Sequence, residues 1–362
     1  MKKQPIPGAH LSAEQIAEIT KGDLIGDPGR IATELCAFDE HVPSSCSFSS
    51  QKHPQKLADA IAKSEIAVLL ISKSVDTADL PPSVSYVAVD NPLRRFIDLV
   101  PSFYQEYARS PGIHPSAVIH PTVKLGSNVE IGPFVTIAEG CSIGDNTILF
   151  SHVVVYPECT IGSGCVLHSH AVVRERCTIG DGVIIQNGSV VGGDGFGYIP
   201  DPREGIKAVP QVGRAIIRDH VEIGVNSCID RGAFGDTTVG MSTKIDNLVQ
   251  VGHNVTIGKY GIICSQVAIA GSVKLGNQVT LGGGGKVNGH IKICDNVRVA
   301  GNGTPTSNIT KPGDYGGFPA QPIGVWRREI ASLRKLPSIV TRLRQRGILE
   351  ESSEGEAEDP EK

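Results

Sequence analysis

Long apolar runs are missing from this 362-residue chain; the longest, Ile66 to Ile71, is far too short to cross a bilayer. Met1 to His10 has two lysines but no apolar segment behind them, so no secretory signal is expected there. Aromatic residues make up only 5% of the chain, which leaves a thin core to be built from Ile, Val and Leu. No strong excess of either charge exists, and a formal −4 argues against a nucleic-acid partner. No Gly-x-Ser-x-Gly elbow, phosphate-binding lysine loop or dinucleotide fingerprint occurs. Nine cysteines form an odd set without a small-domain disulfide framework, so free thiols in a reducing cytoplasm are expected.

What the chain does have is a period. From Ile113 to Val299 a branched aliphatic residue recurs at nearly every sixth position, as in Ile131, Ile137, Ile143, Leu149, Val155 and Ile161. Glycine often follows it, and four residues after it comes a small or β-branched residue such as Val129, Val135, Thr147 or Val153. A helix repeats every 3.6 residues and a plain strand every 2, so neither writes this pattern. A hexapeptide-repeat parallel β-helix does. Three aliphatic positions per triangular coil give about nine coils, stacked about 4.8 Å apart.

The period has two breaks. Val191 to Ile217 is a step of 26 where an unbroken register needs 24, and the intervening stretch is rich in Gly and Pro and carries Phe196 and Tyr198. That reads as a loop thrown out from one corner, and loops on rigid scaffolds tend to carry function. The phase slips again between Ile229 and Val239.

Outside the repeat, residues 1–108 read as a small α/β domain. Ser12 and Gln15 make a capping box for a helix through Thr20, and a second helix is expected over His53 to Lys63. Strands are expected at Ala67 to Ser72 and Tyr86 to Val89, and Asn91-Pro92 opens a helix toward Tyr107. The β-helix is expected over 109–318 and a helical extension over 319–349, kinked or divided at Pro337. Seven Lys or Arg and one acid lie between Gly324 and Gly347, which suits either a cap on the solenoid's open end or a basic face for an acidic partner. The acidic tail, 350–362, is expected to be disordered.

Cys141, Cys159 and Cys177 recur every eighteen residues, four after a phased aliphatic, and Cys165 occupies an equivalent slot. These are packing positions rather than metal ligands, because a buried thiol behaves as a small hydrophobe. His253 lies two positions past the inward Val251 and therefore near the outer surface. His290 follows 37 residues later, where two coils are 36, which puts the two imidazoles on neighbouring tracks about 10 Å apart along the axis. Both sit among polar residues and glycines that leave room for a ligand.

Several strings together identify a resemblance. Gly112-Ile113-His114-Pro115, Asp194-Gly195-Phe196-Gly197-Tyr198, Ile229-Asp230-Arg231-Gly232, Asp246-Asn247-Leu248-Val249-Gln250-Val251-Gly252-His253-Asn254, Asn288-Gly289-His290 and Gly313-Asp314-Tyr315 resemble the bacterial UDP-3-O-(3-hydroxyacyl)glucosamine N-acyltransferases of lipid A biosynthesis. The likeness runs from about 111 to 330 and is weaker before that. It implies a homotrimer of left-handed parallel β-helices behind an N-terminal uridine-nucleotide-binding domain, with active sites in the clefts between subunits. It implies no bound cofactor; an acyl carrier protein brings a (3R)-3-hydroxyacyl thioester to the 2-amino group of a UDP-linked glucosamine. By position, His253 resembles the general base, His290 a second active-site histidine, Asp246 a supporting carboxylate and the Gly271 amide an oxyanion donor. Asn247, Gln250, Phe196 and Tyr198 fall among the substrate-binding positions. The family's uridine motif, Phe-x-x-Asn-x-Lys-Tyr, is altered here to a stretch one residue shorter with Phe48, Gln51 and His53; Phe48 is expected to pack on uracil, with His53 in place of tyrosine.

The chemistry fits these residue types. An amine loses a proton as it attacks a thioester, and an imidazole titrates in the neutral range where it can accept one. A fixed backbone N–H meets the tetrahedral oxyanion. Three other readings stay open: the sister O-acyltransferase acting on UDP-N-acetylglucosamine, a hexapeptide zinc enzyme of the γ-carbonic anhydrase kind, and a non-catalytic solenoid. The first lacks the IDRG string, the second needs three converging histidines, and the third needs a regular outward ladder.

Overall fold

The computed structural model describes residues 3–40, 42–106, 111–203, 205–316 and 323–349. The chain divides into two units, Met1–Ser110 and Pro111–Lys362.

In the first unit a five-stranded sheet runs in the order Asp23–Ile25, Ser85–Val89, Val68–Ser72, Ser45–Phe48, Glu34–Leu35. Its first pair is antiparallel and the rest are parallel. Apart from Ser72 and Ser85 at their ends, Val68–Ser72 and Ser85–Val89 are built of apolar residues and Tyr86, because both faces are covered. Val68, Leu70, Val87 and Val89 pack on one side with Ile16, Leu99 and Phe103, while Leu69, Ile71 and Tyr86 pack on the other with Leu57 and Ile61. The capping box forms, with the Gln15 N–H donating to Ser12 Oγ at 3.2 Å and the Ser12 N–H donating to Gln15 Oε1 at 2.8 Å. The second helix spans Pro54–Ile61. The helix expected from Pro92 toward Tyr107 is shorter than that. It breaks into Pro92–Asp98 and Val100–Phe103, followed by a strand, Tyr104–Glu106, paired antiparallel with Lys3–Pro5. Pro101 has no N–H for the Ile97 carbonyl, so the helical ladder cannot continue through it. Tyr107 lies outside the described residues.

The second unit is a parallel β-solenoid of three sheets, with 11, 9 and 9 strands. Most strands are two residues long and pair with the strand eighteen residues on, as in Ile131↔Leu149, Ile137↔Val155 and Ile143↔Ile161. The aliphatic column forms one continuous core from Val129 to Val299. The third residue after most of the aliphatics turns the corner with positive φ, for example Asn146 (58°), Asn254 (60°) and His290 (62°). Asparagine tolerates this left-handed region because its short polar side chain bonds locally.

The four cysteines of the slot positions are buried. Three thiols donate to a corner carbonyl fifteen residues on: Cys141 to Tyr156, Cys159 to Arg174 and Cys165 to Gly180, each at 3.0 Å. Thr147 and Thr243 make the same bond with their hydroxyls, at 2.8 and 2.9 Å. Burial pushes Cys159 up to about 12 and Cys165 up to about 11, so these thiols stay protonated.

Both breaks in the period fall at one corner. Val191, Ile229, Val251, Ile269 and Val287 are consecutive partners in a single sheet. The first insertion leaves after Val191, the second after Ile229, and His253 follows Val251. The first is an ordered hairpin rather than a bare loop, with Tyr198–Asp201 antiparallel to Gly205–Ala208.

At the far end Gly313–Tyr315 adds in parallel to Val297–Val299. The last helix, Ile323–Gln345, runs through Pro337 undivided. The proline removes one backbone bond, to the Leu333 carbonyl; beside it Ser338 Oγ donates to the Lys335 carbonyl at 2.8 Å and Thr341 Oγ1 to the Pro337 carbonyl at 3.0 Å. The acidic tail, 350–362, lies outside the described residues. Among the described residues no helix is long and apolar enough to cross a membrane.

Candidate active site

The corner after Val251 is where the solenoid wall opens. Register puts Asp230, Gly252, Ala270 and Asn288 in one column, and His253, Gly271 and Gly289 in the next. The column before the inward aliphatics holds Gln250, Ala268 and Lys286. Gly252, Ala268, Ala270 and Gly271 make a floor, and Asp230, Gln250, His253, Lys286 and Asn288 stand around it. With Phe196 and Tyr198 of the hairpin, these columns line a cavity of about 910 Å³. Phe196 is 84% exposed, and its ring meets that of Tyr198 edge-on at 4.9 Å.

His253 is half-buried and confined from two sides. Its ring lies against Gly271, where an added Cβ would stand 2.5 Å from Nε2 and 2.7 Å from Cε1. On the other side a Cβ on Gly195 would come within 2.6 Å of the histidine Cβ. Both positions therefore need glycine for space, since any side chain would collide with the ring or its stem. Nδ1 lies 3.1 Å from Asn254 Oδ1. That oxygen already accepts the Ala233 N–H at 3.0 Å, which assigns it as the oxygen of the amide. An oxygen cannot donate, so Nδ1 carries the proton and Nε2 is left with a free lone pair. Asn254 is in turn fixed by its own N–H donating to Thr237 Oγ1 at 2.8 Å.

Gly271 contributes a second feature. Its carbonyl accepts from the His290 N–H at 3.1 Å, while its N–H takes no backbone acceptor among the described residues. A free amide beside an imidazole nitrogen is the pairing that acyl transfer to a nucleophile uses. Gly271→Ala is expected to displace the ring and lower kcat about 10²-fold, since misplacement by an ångström costs that much. Kinetics run beside thermal unfolding test this; a folded variant with unchanged kcat would show that the ring relocates freely.

Behind the hairpin lies a buried ion network. Arg231 is 1% exposed. Its Nε donates to the Gly192 carbonyl at 2.8 Å and its Nη1 lies 2.9 Å from Glu175 Oε1. Arg174 grips the same carboxylate, Nε to Oε2 at 2.8 Å and Nη2 to Oε1 at 3.0 Å. With Arg174 contributing most and Arg231 adding to it, Glu175 is lowered to about 2. The network ties the root of the hairpin to the solenoid.

The residues singled out from sequence separate into those the cavity gathers and those it does not. His253, Gly271, Gln250, Phe196 and Tyr198 all line it. Asp246 and Asn247 sit at the preceding corner of the same coil. Asp246 Oδ1 accepts the Asn247 N–H at 2.7 Å and Oδ2 the Ser265 N–H at 3.0 Å, while Asn247 Oδ1 accepts the Val225 N–H at 2.7 Å. His290 stands in the column of Asn254 and Ser272, the track beside that of His253, and does not line the cavity. In the first unit the Phe48 ring packs against Phe96 at 5.0 Å, and Gln51 Oε1 accepts the N–H groups of Lys52 and His53 at 3.0 and 3.1 Å. His53 is the exposed N-cap of Pro54–Ile61 and makes no side-chain capping bond. Sequence reasoning quoted Asp230 and Asn254 within motifs and gave neither a task; the His-Asn dipeptide was the available signal for Asn254. No group of three or more His, Cys, Asp or Glu placed to hold a metal ion occurs among the described residues.

A family model described as the GMPPB C-terminal domain matches residues 110–194, less than half of the chain. The solved structure of an Arabidopsis UDP-N-acetylglucosamine acyltransferase superposes with a TM-score of 0.51 at 22% identity, covering 68% of this chain and 86% of that one, which shows a shared fold. The three-sheet parallel solenoid is a β-helix of the hexapeptide-repeat class. The UDP-3-O-acylglucosamine N-acyltransferase of Cupriavidus taiwanensis is 41% identical over 353 residues, 95% of this chain and 96% of its own. UDP-3-O-acylglucosamine N-acyltransferase 1 of Legionella pneumophila (strain Paris) is 45% identical over 258 residues, 71% of each chain. The chain belongs to the UDP-3-O-acylglucosamine N-acyltransferase family.

Proposed function

We propose that this protein moves a (3R)-3-hydroxyacyl group from the phosphopantetheine thioester of an acyl carrier protein to the 2-amino group of UDP-3-O-(3-hydroxyacyl)glucosamine. The observation that carries the reading is His253, which lines an open cavity with Nδ1–H pinned by Asn254 and the Nε2 lone pair left beside Gly271. His253 Nε2 takes the proton from the attacking amine, and the Gly271 N–H receives the oxyanion. Phe196, Tyr198 and Gln250 contact the bound substrates, and Phe48, Gln51 and His53 hold the uridine end. No resident metal or cofactor enters this chemistry.

The working form is a homotrimer. Exposed aromatic and apolar side chains on the solenoid, among them Phe134, Tyr156 and Phe234, favour burial against further copies of the chain. Asp246, Asn247 and His290 enter the proposal only as groups of a cleft shared between protomers. The exposed Arg334, Lys335, Arg342 and Arg344 of the last helix suit an acidic carrier protein. Nine free cysteines fit a reducing cytoplasm. Mass spectrometry of products tests the reading, with UDP-3-O-acylglucosamine and UDP-N-acetylglucosamine offered separately alongside 3-hydroxyacyl carrier proteins. Amide formation on the first acceptor is expected; ester formation on the second alone would move the protein to the sister activity.

A further inference from the structure

The roles given above leave the cavity-lining Asp230 without a task. Asp230 ends the strand Cys228–Asp230 and is paired there with Gly193 at the root of the hairpin. Its carboxyl lines the same cavity as His253, Gln250 and Asp194, and Lys286 stands on that lining too. The next residue, Arg231, is engaged by Glu175 at 2.9 Å and by Asp194 at 3.6 Å rather than by Asp230. Burial pushes Asp230 up to about 6; the hydrogen bond from Gln250 and the nearness of His253 oppose the rise, and Asp194 adds to it. A carboxyl of this kind is ionised at neutral pH and close to its protonated form.

The proposed reaction needs such a group. An alkyl amine is largely ammonium at neutral pH and has no lone pair in that form. Two protons must leave the nitrogen, one before it attacks and one as it attacks. His253 Nε2 can hold only one. We propose that Asp230 binds the acceptor sugar's ammonium group and accepts the first of these protons, delivering the neutral amine to His253. One N–H bond breaks and an O–H bond forms on Asp230. The nitrogen lone pair then forms the C–N bond to the thioester carbonyl while His253 takes the second proton. As the tetrahedral oxyanion collapses the C–S bond breaks, and the imidazolium protonates the departing thiolate. Asp230 returns its proton to water through the open mouth. The sum is ammonium plus thioester giving amide, thiol and one proton.

This inference rests on the amino-sugar reading above, and the experiment separates the two. Full-length wild type and Asp230→Asn are titrated by calorimetry at neutral pH with UDP-3-O-acylglucosamine and with the analogue carrying a 2-hydroxyl in place of the amine. Asp230→Asn is expected to bind the amino sugar roughly tenfold more weakly, the loss for a charge-assisted bond, and the hydroxyl analogue within about twofold of wild type. Its kcat/KM is expected to fall and to lose the acid-side dependence near pH 6, because wild-type Asp230 protonates as pH drops through that value and then no longer attracts an ammonium. Equal weakening for both sugars, or an unchanged affinity for the amino sugar, would overturn the role of Asp230 and leave the N-acyltransferase reading standing. Wild-type protein that binds neither sugar would sink both.

Discussion

His253→Ala is expected to lower turnover by about 10²–10⁴-fold, the range that a positioned general base contributes. The geometry that makes the loss large is specific to this ring. Gly195 and Gly271 confine it from two sides, Asn254 Oδ1 sets its tautomer, and the residue lines the cavity. Water entering the alanine cavity is a poor substitute, because it lacks both the fixed position and the basicity of an imidazole. The fold is expected to survive, since the side chain is outside the aliphatic column that holds the coils together. Product formation measured by mass spectrometry, beside a thermal melt, checks both halves. A variant turning over at the wild-type rate would remove His253 from the mechanism.

The largest stability effect belongs to Arg231. Replacing it with methionine keeps most of the volume but leaves the Gly192 carbonyl without its donor and Glu175 with one arginine instead of two. Breaking a buried, hydrogen-bonded ion pair from one side costs about 3 kcal/mol or more. Two readouts follow: a lower denaturant midpoint for the solenoid, and faster amide exchange across residues 192–213 as the hairpin root loosens. An unchanged midpoint with unchanged exchange would mean that Arg174 alone holds the root. The same network sets an acid response in the wild type. Glu175 is depressed to about 2, so its contribution is complete above the ordinary carboxylate range and drains away as pH falls from there toward 2.

The six-residue period was sufficient to read the solenoid, because the inward aliphatics must repeat once per face to stack on their neighbours. It was also sufficient to place the cysteines inward and His253 outward, since side-chain direction follows directly from position within the hexad. The first unit was less legible. Its buried central strands were clear from their apolar runs, but Glu34–Leu35 and Ser45–Phe48 are short and mostly polar and gave no signal. Proline was an uneven guide: the helix expected to run on past Pro101 breaks at Leu99, just before it, and the helix expected to kink or divide at Pro337 is not divided.

Which polar groups meet at the corner was harder to read. Asp246 lies seven residues before His253, and such closeness in sequence suggests partnership; in the solenoid those seven residues turn a corner and put the carboxylate on another face. Asp230 and Gly252 are partners in register although 22 residues apart rather than 18, because residues 231–235 bulge out between them. The chain by itself determined the coil, its core and the family strings, since these depend on local period and residue type. The tertiary structure alone decided that two insertions and one histidine pile onto a single corner, with Asp230 beside His253. Insertions shift the count along the chain without disturbing the stacking of coils, so proximity across coils is set by sheet register rather than by separation in sequence.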